Sequence, residues 1–176
     1  QSRQMWLELQ AESGQNLMYE CGALILATAG HCDWEDATSE TFDRVGVPYY
    51  RFSKRDIQDR FPQFKVDEID YALFEPEAGL LMAHRCVITA TDLFKRAGGT
   101  LKRGVVTTDA SEKPMLEGKP LEADVIIIAT GAWKAEMFPR TIKPISAIMG
   151  INVLYTSTPD GSDAFDMENM PCWIDH

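Results

Sequence analysis

Apolar and polar residues along the chain form short periodic segments, and most of these end at a glycine or a proline. In residues 86–99 apolar side chains recur at spacings of three, four and seven, which predicts an amphipathic helix closed by Gly98 and Gly99. The residues of its predicted apolar face are Val87, Ala90, Leu93 and Phe94. Further helices are predicted at residues 1–14, 33–46, 53–62 and 133–138, with Asp33 and Ser53 as N-caps of the second and third.

Between these helices the apolar runs are short and rich in aliphatic residues, which predicts β-strands. The predicted strands are residues 17–29, 100–107, 124–129, 144–158 and a last strand that begins at residue 171, and residues 71–85 are predicted to form a strand and a loop. Residues 109–123 are predicted to form a β-excursion with turns around Pro114 and Gly118. The strand at 144–158 is expected to bend at Gly150 and to pair with the strand at 17–29.

The order of helix, strand, excursion and strand over residues 86–129 is typical of the second half of a nucleotide-binding α/β arrangement. In such sheets ligands bind at the carboxyl ends of the parallel strands, and the small turn at Thr130 and Gly131 lies at that end. The flanking segments 1–70 and 139–176 are strand-rich and are expected to form a second domain interleaved with the first.

Composition restricts the classes of function. The 176 residues are 45% hydrophobic and 25% charged, which is typical of a globular protein. A formal net charge of −10 argues against nucleic acid as a partner. No apolar run reaches the roughly 20 residues that span a bilayer, and the four cysteines contain no CxxC motif, which favours a reducing, cytoplasmic compartment. The cluster at residues 31–33 near Cys21 is interpreted as a polar turn, and no metal site is predicted.

Four stretches of the chain, taken in order, resemble a known family. They are FEPEAGLLMAHRCV (74–87), AGGTLKRGVV (97–106), ADVIIIATGAW (123–133) and PISAIMGINVLY (144–155), which is followed by MPCWIDH (170–176). The set is similar to the sarcosine oxidase, N-methyltryptophan oxidase and pipecolate oxidase branch of the FAD-dependent D-amino-acid oxidase superfamily. Each motif alone is weak, and the ordered set spans essentially the whole chain.

The resemblance implies a fold and a cofactor. The fold would be α/β plus α+β, with a partial FAD-binding Rossmann-like layer interleaved with a mainly antiparallel substrate domain. Residues 71–138 would belong to the FAD-binding domain, and residues 1–70 and 139–176 to the substrate domain. The cofactor-binding positions implied by the match are Val105, Val106, Ala129, Thr130, Gly131 and Trp133.

These positions have physical alternatives. The main chain of Val105 or Val106 could face the adenine, or the valine could be a core residue of the strand. The Ala-Thr-Gly turn could let the backbone approach the cofactor, or it could be a simple strand-to-helix turn. Trp133 could contact the cofactor or pack in the core.

The family pattern also contains features that this sequence lacks. None of the 12 glycines forms the GxGxxG fingerprint of the pyrophosphate site, so the chain is expected to represent the central portion of a larger enzyme and to bind FAD weakly or not at all when isolated. Cys172 has the wrong neighbours for a covalent flavin link, and Glu75 and Glu77 are interpreted as a solvated loop. No residue can be assigned a catalytic role.

The chemistry implied by the resemblance is oxidation of a secondary or N-alkyl amino acid to its imine, with dioxygen as acceptor and hydrogen peroxide as product. Two alternatives stay open: a non-catalytic, flavoprotein-like interaction module, and an amino-acid dehydrogenase that uses another acceptor.

The expected partner is a small amine or amino acid, with no nucleic acid or membrane. The expected compartment is the cytoplasm, or the peroxisome in a eukaryote. An open sheet edge beside residues 100–107 or 124–129 predicts self-association.

Overall fold

A computed structural model describes residues 2–143, 153–154, 156–158 and 161–175 of the protein. The chain divides into two compact units, the first made of residues 1–99 and 156–176 and the second of residues 100–155. The helices are α1 (Ser2–Ser13), α2 (Asp33–Val45), α3 (Lys54–Arg60), α4 (Ala83–Arg96) and α5 (Lys134–Met137). The strands are β1 (Met18–Tyr19), β2 (Ala23–Thr28), β3 (Tyr50–Ser53), β4 (Ile69–Glu75), β5 (Leu80–Leu81), β6 (Val106–Thr108), β7 (Pro114–Leu116), β8 (Lys119–Pro120) and β9 (Cys172–Asp175).

The first unit contains a four-stranded sheet in the order β3-β4-β2-β9. Strand β4 pairs antiparallel with β2 and β3, whereas β9 pairs parallel with β2. The predicted strand at residues 17–29 is split into β1 and β2, with Gly22 between them at φ 78°. The strand predicted to begin at residue 171 is confirmed as β9.

Both faces of this sheet are covered, which explains why residues 24–27 of β2 and 71–74 of β4 are continuous apolar runs. One face packs Leu24, Leu26, Ala72 and Phe74 against Ile57, Phe61, Val66 and Ile69. The other face packs Ile25, Ala27, Tyr71 and Leu73, with partly buried Cys32, Phe42 and Tyr49 over them. The core of this unit therefore lies on the two sides of β2 and β4.

The helix ends follow the sequence signals with one correction. Ser53 caps α3 in a capping box with Asp56, and Gly46 ends α2 in the left-handed conformation at φ 73°. Asp33 was predicted as the N-cap of α2, and this prediction is wrong. The capping residue is Cys32, which makes no side-chain capping bond, and Asp33 is the first residue of the helix.

Helix α4 is confirmed, but its predicted apolar face is wrong. The buried residues of α4 are Cys86 and Thr89, whereas Val87 is 66% and Phe94 50% exposed. The helix packs instead near Leu17, whose carbonyl accepts hydrogen bonds from the Met82 amide and the Cys86 thiol. Periodicity identifies an apolar stripe on a helix, but which stripe is buried depends on the segments of the same chain that pack against the helix.

The second unit contains an antiparallel sheet in the order β6-β7-β8, and this confirms the predicted β-excursion. Pro114 lies in β7 and not in a turn, while the turn at Gly118 is as predicted. The predicted strand at 100–107 is reduced to β6.

The strand predicted at residues 124–129 is absent from the described structure. This segment lies outside any β-strand, and Val125 and Ile127 are 77% and 85% exposed. A buried central strand needs ladder partners on its edges, and the described part of the chain pairs no strand with it.

Two further expectations are untested by this structure. Most of the predicted strand at 144–158 lies outside the described residues, and so does its expected pairing with residues 17–29. The compact units break after residues 99 and 155, and the assignment of residues 1–70, 71–138 and 139–176 to substrate and FAD-binding domains stays a prediction. Among the described residues, no helix has both the length and the apolar character needed to cross a membrane.

Candidate functional site

Five of the six residues predicted to bind a cofactor line one open cleft of about 520 Å³ in the second unit. These residues are Val106, Ala129, Thr130, Gly131 and Trp133. Val105 is not among the lining residues and is 71% exposed. The volume lies within the range of about 300–1,000 Å³ that is typical of ligand pockets.

Strand β6 and helix α5 form the two sides of this cleft. The hydroxyl of Thr108 in β6 donates a hydrogen bond of 2.7 Å to the carbonyl oxygen of Met137 in α5. Between these elements the chain turns through Gly131–Trp133, a single 3₁₀ turn in which the Trp133 amide donates to the Thr130 carbonyl at 3.2 Å. Gly131 has φ 54°, a conformation that favours glycine, so the small turn is needed for the backbone path.

The register of β6 distinguishes Val106 from Val105. The Val105 carbonyl accepts a hydrogen bond from the Glu117 amide at 3.1 Å, and the Asp109 amide donates to the Lys113 carbonyl at 3.0 Å. In an antiparallel pair, residues alternate between hydrogen-bonded and non-hydrogen-bonded positions, so Val106 occupies a non-hydrogen-bonded position opposite Leu116. The main-chain N–H and C=O of Val106 therefore point away from β7, toward the side of β6 that pairs with no described strand.

Thr130 carries a buried polar atom that lacks a partner. Its Oγ1 is shielded from solvent and makes no hydrogen bond to any described residue, whereas buried hydroxyls are normally hydrogen-bonded. An unpaired buried hydroxyl costs roughly 1–3 kcal/mol, which a ligand with a suitably placed acceptor or donor would offset. The unpartnered hydroxyl therefore fits a ligand that carries hydrogen-bonding groups.

Trp133 is not a core residue, because 69% of its surface is exposed in the described structure. It lines the cleft and could stack on a planar ring. The alternative that Trp133 packs in the core does not hold for the part of the chain that the structure describes.

Three lining residues were not predicted from the sequence: Gly104, Glu136 and Met137. A Cβ at Gly104 would lie 2.7 Å from Leu116 Cδ1, so a larger residue at this position would require the Leu116 side chain to shift. Gly104 could have been identified from its position just before the predicted adenine-facing valines. Glu136 could have been identified because it follows Trp133 in a predicted short helix.

The other residues considered from the sequence lie outside this cleft. Glu75 Oε1 accepts a hydrogen bond from the Glu77 amide at 2.7 Å, and Glu77 lies 3.7 Å from the Arg3 guanidinium, which is consistent with a solvated loop. Within the described residues, no three His, Cys, Asp or Glu side chains form a group that could hold a metal ion.

Comparison with protein families adds the decisive observation. The family model described as "FAD dependent oxidoreductase" matches residues 1–175 of the chain. The chain belongs to this family. Family membership agrees with the resemblance seen in the four sequence stretches and with FAD as the cofactor of the family.

Individual relatives of this FAD-dependent family are distant. Monomeric sarcosine oxidase from Bacillus sp. (strain NS-129) is 21% identical over 79% of the chain and 37% of its own length. Among solved structures, glycine oxidase from Geobacillus kaustophilus gives a TM-score of 0.61 at 22% identity, over 79% of this chain and 40% of that protein. L-proline dehydrogenase from P. horikoshii gives 0.60 at 17% identity, over 78% and 38%.

These structural matches confirm the predicted fold class, α/β plus α+β. The chain spans somewhat more than a third of the length of the sarcosine oxidase that it matches.

Proposed function

We propose that this chain forms the adenine-facing strand and the small-residue turn of the FAD site in an oxidoreductase that oxidises a secondary or N-alkyl amino acid to its imine, with dioxygen as acceptor and hydrogen peroxide as product. The single observation that carries the proposal is the convergence of Val106, Ala129, Thr130, Gly131 and Trp133 on one cleft. The FAD-dependent family match and a sarcosine oxidase relative support it.

We assign roles to four residues of the cleft from their geometry. The outward N–H and C=O of Val106 can pair with the edge of the adenine, because they point away from β7. The Thr130 hydroxyl, which is shielded and lacks a described partner, would turn toward the cleft to hydrogen-bond the cofactor. Gly131 keeps the turn open, since no heavy atom of the other described residues lies within 4 Å of where its Cβ would be, and Trp133 lines the cleft.

The bound FAD would supply the redox chemistry, accepting a hydride from the carbon beside the amine nitrogen. The residues of this chain would bind and orient that cofactor, and no described residue is assigned to substrate. The substrate domain proposed for residues 1–70 and 139–176 would contribute to the amino-acid site. We place the protein in the cytoplasm, or in the peroxisome of a eukaryote.

A second candidate function is a dehydrogenase that passes electrons to an acceptor other than dioxygen. The observation that favours it is the structural likeness to an L-proline dehydrogenase, with a TM-score of 0.60. A third possibility, a flavoprotein-like module without catalysis, has no observation in its favour beyond the missing GxGxxG motif.

One experiment separates these functions. The full-length protein, expressed from its complete gene, is purified, its flavin absorbance is recorded, and peroxide formation is measured with sarcosine, proline, glycine and N-methyltryptophan under air. The oxidase predicts bound flavin and peroxide produced in proportion to oxygen consumed. Flavin reduction by substrate under nitrogen, with slow reoxidation by air, would indicate the dehydrogenase. A protein without flavin that also fails to bind added FAD would contradict both.

A further inference from the structure

Two cysteines from distant parts of the chain lie side by side in the first unit. Cys21 Sγ and Cys172 Sγ are 3.5 Å apart, although 151 residues separate them in sequence. Both thiols are free and partly buried. Cys21 lies just before β2, and Cys172 is the first residue of β9.

The backbone on both sides holds the two sulfurs together. The Cys172 amide donates to the Gly22 carbonyl at 3.1 Å, and the Gly22 amide donates to the Ala78 carbonyl at 2.9 Å. A Cβ at Gly22 would clash with the ring of Phe74, so this position admits only glycine without rearrangement. The parallel pairing of Ala23 with Cys172 then sets the register that brings the thiols together.

The gap between the sulfurs is small enough for a disulfide. A disulfide bond measures about 2.0 Å, so the two sulfur atoms must approach by roughly 1.5 Å, which small side-chain rotations can supply. The other two cysteines are engaged elsewhere. Cys32 Sγ donates to the Thr28 carbonyl at 3.3 Å, and Cys86 Sγ donates to the Leu17 carbonyl at 3.6 Å.

We propose that Cys21 and Cys172 form a reversible dithiol–disulfide pair that hydrogen peroxide oxidises, covalently joining strand β9 to the chain that enters β2. The inference stands on the geometry of the two thiols and holds for peroxide from any source. Under the proposed function, the enzyme would itself produce this oxidant.

Access determines which sulfur reacts first. Cys21 lines a surface cavity of about 270 Å³ together with Arg60, Met167 and Met170, and this cavity admits a molecule as small as peroxide. Burial and contact with the Cys21 thiol raise the pKa of Cys172 to about 11, so Cys172 stays protonated at neutral pH. Cys21 is therefore the attacking thiol and Cys172 the resolving one.

The reaction balances in two steps. The Cys21 thiolate attacks one oxygen of hydrogen peroxide, the O–O bond breaks, and the departing hydroxide takes a proton to become water, leaving a sulfenic acid on Cys21. The Cys172 sulfur then attacks Cys21 Sγ, the S–S bond forms, the S–O bond breaks, and the departing hydroxide leaves as water with the Cys172 proton. Two thiols lose two electrons in total, and peroxide is reduced to two waters.

The bond would reinforce an edge strand. Strand β9 pairs with β2 alone in the described sheet, and Trp173 of β9 contacts the Phe64 ring edge-on with centroids 5.8 Å apart. A covalent link across 151 residues of chain lowers the entropy of the unfolded state. We expect oxidation to raise the thermal unfolding midpoint by roughly 5–15 °C.

The test is peptide mapping of the full-length protein, reduced beforehand and then treated with hydrogen peroxide at a dose that fully oxidises a free-cysteine peptide. Remaining thiols are alkylated, and non-reducing digestion is followed by mass spectrometry. The expected result is a cross-linked peptide pair containing Cys21 and Cys172, lighter by two hydrogens than the two thiol peptides together and cleaved by dithiothreitol.

Three variants test the order of reaction. In Cys172→Ser, a dimedone probe should label Cys21 as a sulfenic acid, whereas in Cys21→Ser the Cys172 thiol should stay reduced at the same dose. The matched control Cys32→Ser should form the cross-link as the unchanged protein does. Absence of the cross-linked pair in the unchanged protein, or its loss in Cys32→Ser, would overturn the proposal. The mapping of the unchanged protein decides the question even where a variant fails to fold.

Discussion

At the scale of single residues, the candidate site depends on small side chains and on one hydroxyl. Gly104 and Gly131 leave room for the backbone to turn and pack, and Thr130, which lines the cleft, carries a buried Oγ1 without a described partner. A larger residue at Gly104 would force Leu116 of β7 to move. The chemistry of the site therefore resides in main-chain groups and one side-chain oxygen.

The positive φ of Gly131 leads to a prediction that separates backbone strain from steric conflict. A Cβ at this position would meet no heavy atom of the other described residues within 4 Å, so Gly131→Ala should cost about 1 kcal/mol of unfolding free energy through conformation alone. Gly131→Asn should cost less, because asparagine tolerates the left-handed region. Urea denaturation of the full-length variants measures both, and equal losses for alanine and asparagine would contradict the explanation.

Five of the six positions predicted to bind the cofactor line one cleft, because the Ala-Thr-Gly turn and the valine pair are local features, and their binding of a cofactor stays a prediction. The sequence could not choose between Val105 and Val106, since that choice depends on the register of β6 against β7. The sequence also did not predict Glu136 and Met137 as lining residues. The hydrogen bond from Thr108 to the Met137 carbonyl holds the end of α5 beside the cleft. Strand register and tertiary hydrogen bonds are determined by the whole sheet, so they cannot be read from a short stretch of sequence.

At the scale of elements, the N-terminus of helix α3 is determined by a local sequence motif. The Ser53 hydroxyl and amide both donate to Asp56 Oδ2, at 2.6 and 2.8 Å, and the Asp56 amide donates back to Ser53 Oγ at 3.3 Å. These bonds, the hydroxyl first, lower the pKa of Asp56 below its usual value. The capping box was therefore predictable from serine and aspartate three residues apart.

Removal of this cap should destabilise the protein in a pH-dependent way. Ser53→Ala should cost about 1 kcal/mol near neutral pH, whereas Ser53→Thr should retain most of the stability. Because the pKa of Asp56 is lowered in the folded state, its contribution is complete above the unfolded pKa of about 4 and is lost as the pH falls through the lower folded value. The difference between native protein and Ser53→Ala, measured by urea denaturation, should therefore shrink at acid pH, and a difference independent of pH would contradict the role of Asp56.

Other elements could not be predicted from sequence alone. Residues 124–129 carry a strong strand pattern, yet in the described structure they lie outside any strand, because a ladder needs partner strands. The apolar stripe of α4 was assigned one residue away from the buried Cys86 and Thr89. In both cases the pattern is local, whereas burial depends on what packs against it.

At the scale of the whole molecule, the exposed apolar segment and the sheet edge predict self-association of the 176-residue chain. Ile127 is 85% and Val125 77% exposed, and β6 forms one edge of the three-stranded sheet. Sedimentation velocity over a wide concentration series should show association, despite the net charge of −10.

A single charge should weaken that association. Ile127→Asp places a carboxylate in the apolar segment, whereas Val45→Asp is a matched control at a 62% exposed position in the other unit. We expect Ile127→Asp to shift the distribution toward monomer and Val45→Asp to leave it unchanged. A native chain that stays monomeric at high concentration would show that the edge and the segment are covered.

The central claim is that the cleft of Val106, Thr130 and Trp133 holds FAD, and the FAD affinity of Thr130 variants tests it most directly. In full-length protein stripped of flavin, FAD titration should give a Kd roughly fivefold higher for Thr130→Val, corresponding to about 1 kcal/mol for one lost hydrogen bond. Thr130→Ser keeps the hydroxyl that lacks a partner in the described chain and should bind FAD with nearly native affinity. If Thr130→Val binds FAD as tightly as the native protein, the hydroxyl does not contact the cofactor and the site proposed here is wrong.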